Sequence, residues 1–185
     1  MELNTNFSPF PVIRTKRLLM RQITMNDVND SFRHRSDPEL YKHLIRPPAK
    51  EIAEAEEFIR RVMTAEANGD GIHWGLELLD QPGYMIGNIG IWQILKADFR
   101  GVLGYMMDKD YHGKGYMSEA LTEVIKYGFE VIGLHTLKAD VTYGNFPSMN
   151  LLERHGFLQE AHFREDIFKE GKFLDTVVYG RVNRK

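Results

Sequence analysis

The order of apolar segments predicts an α/β protein of the α+β kind, with a mixed, mainly antiparallel central sheet of about seven strands and helices on both faces. Two observations carry this reading. Strand-like runs at 72–79, 84–94 and 102–108 follow one another with only turn-prone residues between them, as antiparallel neighbours do. A helical segment then separates the run at 102–108 from one at 135–142, which makes a right-handed parallel crossover.

The elements follow in chain order. Arg17 to Ile23 is a short apolar-rich strand, and Thr24-Met25-Asn26-Asp27 supplies side chains able to cap a helix running toward Ser36. Pro38 resets the chain, and Arg46-Pro47-Pro48 reads as a turn between helices. From Glu51 to Ala67, apolar residues Ile52, Ala55, Phe58, Ile59, Val62 and Met63 recur at helical spacing, with a stop near Asn68-Gly69. The expected turn before the run at 84–94 is Asp80-Gln81-Pro82-Gly83. Beyond a glycine-rich turn, Ala120, Leu121, Val124, Ile125, Gly128 and Phe129 keep helical spacing until Gly133. Pro147 opens a short helix ending at Gly156, and two strand-like runs, Phe157 to Phe168 and Lys172 to Val182, close the chain around Gly171.

The 185 residues fit a single domain, 1–185, with no repeat, no low-complexity tract and no long linker. The absence of cysteine excludes disulfides, thiolate metal sites and a cysteine nucleophile. A net charge of −2 with mixed signs gives no field directed at nucleic acid or an anionic membrane, so small partners are expected. The start of the chain, Glu2-Leu3-Asn4-Thr5-Asn6, has no basic, apolar leader, and no apolar run approaches the ~18 residues of a membrane span; a cytoplasmic location is expected. The seven histidines show no metal-ligand spacing, so no metal is expected.

One local feature carries chemistry. Tyr111-His112-Gly113-Lys114-Gly115-Tyr116 sits between a strand and a helix. A helix start offers unpaired N–H groups and partial positive charge, and two glycines permit the positive φ values that gather N–H groups into an anion-binding nest. Lys114 adds a cation, and Ser118 could donate a hydroxyl. Two glycines can equally be a plain tight turn. The dinucleotide fingerprint fails at Ser118, and the P-loop fails at Gly115.

The run Gly104-Tyr105-Met106-Met107-Asp108-Lys109-Asp110-Tyr111-His112-Gly113-Lys114-Gly115-Tyr116-Met117-Ser118-Glu119-Ala120-Leu121 resembles the acetyl-CoA signature of the GNAT superfamily. Asn145-Phe146-Pro147-Ser148 through Gly156-Phe157 is similar to that family's second block, and Thr15-Lys16-Arg17-Leu18-Leu19-Met20-Arg21 with Asp27 and Asp37-Pro38 to its RimJ/RimL-like branch. The resemblance implies a GNAT-like fold and acetyl-CoA (coenzyme A) as cofactor, its pyrophosphate held by main-chain N–H groups from His112 to Met117. It also implies that Tyr105, Met106 and Met107 lie along the pantetheine arm and that Asn145 contacts the cofactor. His112 departs from the family's Gln or Arg, and Met117 from its small residue.

The implied activity is acetyl transfer from acetyl-CoA to a primary amine by direct attack on the thioester, with a protein N-terminal α-amine or a small amine such as a polyamine or aminoglycoside as acceptor. An α-amine of reference pKa about 7.7–8.0 is far more often neutral near pH 7 than a lysine at about 10.4. The family's tyrosine acid falls on Leu152. Ser148, one turn earlier, matches the serine proposed to replace it in RimL-like enzymes, or it simply satisfies backbone groups at the helix start. Glu77 and Tyr143 are the base candidates, though Glu77 could equally face solvent. Trp74 and Trp92 either line the acceptor pocket or belong to the core, and the Arg33, His34, Arg35 cluster reads as a solvated face. Competing classes are a non-catalytic acyl-CoA-binding regulatory module and a nucleotide-binding oxidoreductase. An exposed terminal strand offers a surface for homodimer formation.

Overall fold

The computed structural model describes residues 2–42, 44 and 46–184. Its strands are β1 (Ile13–Arg14), β2 (Leu18–Gln22), β3 (Ile72–Leu78), β4 (Gln81–Leu95), β5 (Arg100–Met107), β6 (Thr136–Thr142), β7 (Leu158–Lys169) and β8 (Lys172–Val182). They form one eight-stranded sheet in the order β1-β2-β3-β4-β5-β6-β8-β7. The expected strands are all present, and the eighth is the two-residue β1, too short to show periodicity. Every neighbouring pair is antiparallel except β5 and β6.

The helices are α1 (Val28–Ser36), α2 (Pro38–Tyr41), α3 (Ile52–Ala67), α4 (Tyr116–Lys126) and α5 (Phe146–Arg154). Ala120, Leu121, Val124 and Ile125 of α4 and Leu151 and Leu152 of α5 are buried in the larger core, together with Leu18, Trp74, Ile89, Leu137 and Tyr179 from the sheet. Phe58, Ile59 and Val62 of α3 pack with Ile23 and Met85 in a second, smaller cluster. Trp74 is therefore core, its indole N–H donating to the Pro11 carbonyl at 2.7 Å.

Four local expectations change. The hairpin between β3 and β4 turns at Leu79 and Asp80, not at 80–83; pairing jumps from Glu77↔Met85 to Leu78↔Gln81, so Pro82 falls in an irregularity where no N–H is needed. The helix after the glycine turn is α-helical only to Lys126. From Tyr127 to Ile132 it widens into a π-helical turn that Gly133, at φ 86°, ends. Trp92 is bulged out of the β4–β5 ladder, where pairing skips from Ile91↔Leu103 to Gln93↔Val102, and its indole lies over Gly104, where a Cβ would come within 2.0 Å of Nε1. Of the Arg33 to Arg35 cluster only Arg33 is on a solvated face. His34 is buried, Arg35 stacks on Phe58 at 4.1 Å, and Arg33 lies over Tyr84 at 4.3 Å.

Glu77 is also buried. Its carboxylate accepts from Arg21 Nε at 2.8 Å, while the other guanidinium nitrogens donate to Asp27 at 2.8 and 3.0 Å. Asp27 in turn accepts from the Thr24 N–H at 2.8 Å, so this ion-paired group joins β2, β3 and the start of α1. We expect Glu77→Gln to lower stability by about 1–3 kcal/mol in urea denaturation. Turnover measured below the melting range should stay near wild type.

Candidate active site

The parallel pair makes the site. β5 and β6 are joined only at Arg100↔Thr136, Gly101↔Leu137 and Val102↔Lys138. Beyond that they part, and residues 103–107 and 139–142 become opposite walls of a cleft of about 1040 Å³. β5 stays paired to β4 and β6 to β8, so both strands are held while the edges facing the cleft are released from each other. Such an edge can hydrogen-bond an extended chain as a further strand would.

At one end the cleft meets the start of α4, with Gly113, Gly115, Tyr116, Met117 and Ser118 in its wall. Gly113 and Gly115 have φ of 73° and 82°. A Cβ at Gly113 would meet nothing within 4 Å, so glycine is required there for backbone conformation and not for space. The turn is braced from below. Arg17 donates from Nη1 to the Lys114 carbonyl at 2.9 Å and from Nε to Glu119 at 2.7 Å, and its guanidinium lies 4.5 Å over the Tyr116 ring. Thr15 and the Arg17 N–H bind the other Glu119 oxygen. Burial pushes the Glu119 carboxyl up, but these hydrogen bonds outweigh it and hold the group below its ordinary range. The acid in the first turn of α4 is thus neutralised by Arg17 instead of facing the cleft as a free charge.

The remaining cofactor candidates divide. His112 turns back and donates from Nε2 to the Met107 carbonyl at 2.8 Å, closing the end of β5. Lys114 donates to the Asp110 carbonyl at 2.8 Å and lies outside the cleft lining. His155 meets the Leu151 carbonyl through Nδ1 at 2.8 Å and the Ser118 carbonyl and hydroxyl through Nε2 at 3.0 and 3.2 Å, which ties α4 to α5. Asn145 lines the cleft and also caps α5, accepting from the Ser148 N–H at 3.4 Å.

With Asn145 serving the helix start, the Ser148 hydroxyl is free to reach across the cleft to Tyr105 OH, at 2.7 Å. Burial pushes the Tyr105 phenol up to about 12 against the opposing Ser148 hydrogen bond, so it keeps its proton at ordinary pH. The family resemblance places Tyr105 only beside the cofactor arm; its partnership with Ser148 spans 43 residues of chain. Leu152 is fully buried. Neither base candidate lines the cleft: Glu77 is committed to Arg21, and Tyr143, half exposed, stacks on His162 with ring centroids 4.9 Å apart.

The opposite end of the cleft was not anticipated. Glu39, Leu40, Lys42 and Leu44 form one side, and Ile167 and Thr176 the other. Lys169 at the tip of the β7–β8 hairpin donates to the Tyr41 and Leu44 carbonyls at 2.8 and 2.7 Å, joining the two sides. These residues meet only through tertiary contacts and carry no local signal. Arg154, at the end of α5, adds a cation to the wall.

The pattern that describes the acetyltransferase (GNAT) domain matches residues 17–158. The chain belongs to the GNAT acetyltransferase family. It is 31% identical to the uncharacterized N-acetyltransferase YoaA of Bacillus subtilis, over 94% of this chain and 97% of that one. It is 30% identical to the [ribosomal protein uS5]-alanine N-acetyltransferase of Escherichia coli, over 60% of this chain and 57% of the relative. The structure of the RimL ribosomal L7/L12 α-N-protein acetyltransferase, solved with coenzyme A, superposes with a TM-score of 0.84 at 16% identity, covering 93% of this chain and 98% of that one. The expected fold class and family are borne out, and the chain is an acetyl-CoA-dependent N-acetyltransferase.

The walls suit that cofactor: two positive-φ glycines at a helix start for a pyrophosphate, and a released strand edge for an extended amide-containing arm. Gly115→Ala forces a side chain into a left-handed conformation at a cost of roughly 1–2 kcal/mol. We expect about 10-fold weaker acetyl-CoA binding by calorimetry, with the secondary structure retained by circular dichroism.

Proposed function

We propose that this enzyme acetylates the α-amine of a peptide or protein N-terminus, with Ser148 as proton donor to the leaving thiol and Tyr105 positioning it. The observation that carries the second part is the 2.7 Å contact between the two hydroxyls at the open edge of β5. The relatives named for ribosomal proteins support the acceptor class.

Acetyl-CoA supplies an activated acyl carbon whose leaving group is a thiol of ordinary pKa about 8.5. The main-chain N–H groups from His112 to Met117 hold its pyrophosphate, and the Tyr105 to Met107 edge of β5 orients its arm. Ser148 donates its Oγ proton to the departing sulfur and is reprotonated from the solvent that takes the amine proton, while Tyr105 keeps its own proton and positions the Ser148 hydroxyl through their hydrogen bond. The start of α5, where Ser148 lies, adds a favourable field for negative charge developing there. An α-amine is neutral in roughly a tenth of molecules near pH 7, so it needs no strong base. With Glu77 engaged by Arg21 and Tyr143 stacked on His162, water at the second mouth takes the amine proton. The reaction is assigned to the cytoplasm. The long edge strand β7, exposed along most of its length, is the surface through which two copies would pair.

The test is thiol release from acetyl-CoA with an alanine-initiated hexapeptide, spermidine and an aminoglycoside as acceptors. The peptide should be preferred; turnover of spermidine or the aminoglycoside alone would move the assignment to small amines. Ser148→Ala should lower kcat by roughly 10-fold, less than a typical general acid contributes because the thiol leaves readily, and leave acetyl-CoA affinity unchanged. Unchanged kcat would remove Ser148 from the chemistry. Because the Tyr105 phenol is raised to about 12, its ionisation lies far above the amine's. The peptide rate should therefore rise through about pH 8, as the α-amine loses its proton, and show no falling limb up to about pH 10. A fall beginning near pH 9 would show that Tyr105 titrates normally.

A further inference from the structure

The acetyl-transfer chemistry leaves one charge in the cleft wall unused. Among the described residues that wall holds two side chains of fixed positive charge, Lys42 at the end near Leu44 and Arg154 on α5. The Arg154 guanidinium makes no ion pair or hydrogen bond with any described residue. The cations nearer the glycine turn are all engaged: Arg17 by Glu119 and the Lys114 carbonyl, Lys114 by the Asp110 carbonyl, and His112 by the Met107 carbonyl. The residues that α5 gives to the cleft, Pro147, Ser148, Asn150, Leu151 and Arg154, form a stripe at helical spacing. From Ser148 to Arg154 it rises about 9 Å along the axis. His155, the next residue, is tied to Ser118 in the first turn of α4, so the stripe leads from the reacting end to the flank of the glycine turn. An exposed arginine needs no partner for stability, and one in the last turn of a helix suits the helix dipole. Its place in the wall of an anion-binding cleft calls for a further role.

We propose that Arg154, with Asn150 one turn before it, receives the 3′-phosphate on the ribose of coenzyme A, and so selects that cofactor over its dephospho form. Main-chain N–H groups at the glycine turn converge on a single nest, which suits the pyrophosphate. Coenzyme A carries a second anion on a different part of the molecule, a monoester phosphate with close to two negative charges near neutral pH. That group needs a donor of its own. A guanidinium matches it, because its planar fork can bind two phosphate oxygens together and stays charged at any working pH. The exposed Asn150 amide, on the same face of α5, adds a neutral donor. Lys42 stands at the other end of the cleft, beside Glu39 and Leu44, and is placed for the acceptor instead. The inference depends on the cofactor alone and is independent of which amine is acetylated.

The experiment titrates wild type, Arg154→Gln and Arg154→Glu with coenzyme A and with dephospho-coenzyme A by calorimetry, so that binding is read without turnover. We expect wild type to bind coenzyme A roughly 10-fold more tightly than the dephospho form, the worth of a charge-assisted hydrogen bond at an exposed site. The glutamine variant should bind both about as wild type binds dephospho-coenzyme A. With a like charge in that place, the glutamate variant should prefer the dephospho form. A wild type that binds the two coenzymes equally would overturn the assignment, whatever the variants do. A preference retained in the glutamine variant would overturn it too, and so would equal losses on both coenzymes, which would mark a structural role for Arg154 at the end of α5. None of these outcomes touches the acetyltransferase assignment or the α-amine reading, which the thiol-release assay tests separately.

Discussion

After three residue pairs, β5 and β6 stop sharing a ladder, and the rest of the site depends on that parting. Each strand is secured on its far side, β6 by seven pairs with β8 and β5 by its ladder with β4. The Trp92 bulge adds local twist to the β4–β5 ladder where the separation begins. What remains is a slot bounded by two firmly held strands whose inner backbone groups are not used by each other. An extended ligand with amide groups can take the place of the missing partner strand, so cofactor recognition at this point needs geometry more than particular side chains. Met106 and Met107, with no polar handle, can stand in the wall of such a cleft for that reason.

The second constraint is electrostatic. A helix start that is to receive a pyrophosphate should not present its own uncompensated acid, yet α4 carries Glu119 in its first turn. Arg17 and Thr15 resolve the conflict by drawing that carboxylate toward β2, and the same guanidinium fastens the Lys114 carbonyl. The Thr15-Lys16-Arg17 string, which in the sequence served only as a mark of family, is thus a brace for the glycine turn. A comparable reassignment applies to Glu77. A carboxylate on a central strand invites a catalytic reading, and its burial against Arg21 and Asp27 directs it to holding β2, β3 and α1 together.

The strands, the principal helices and the glycine turn could be read from the sequence because each depends on neighbours a few residues away: apolar spacing, caps, and glycines where φ must be positive. The departures arose where a distant contact overrode a local preference. Pro82 lies within a strand because pairing is irregular there, and α4 widens into a π turn before Gly133. His34 is buried by Tyr84 and Asp108, residues that lie far along the chain.

By itself, then, the sequence determined the fold class, the family and the cofactor, since these reside in contiguous motifs whose geometry is local. Only the tertiary structure decided which side chains share the cleft. Tyr105 meets Ser148 across the parted strands, while Thr176 and Ile167 come to face Leu44 through the β7–β8 hairpin. Those encounters join segments tens to more than a hundred residues apart. No spacing rule reaches that far, because closing such loops is governed by the packing of the whole sheet.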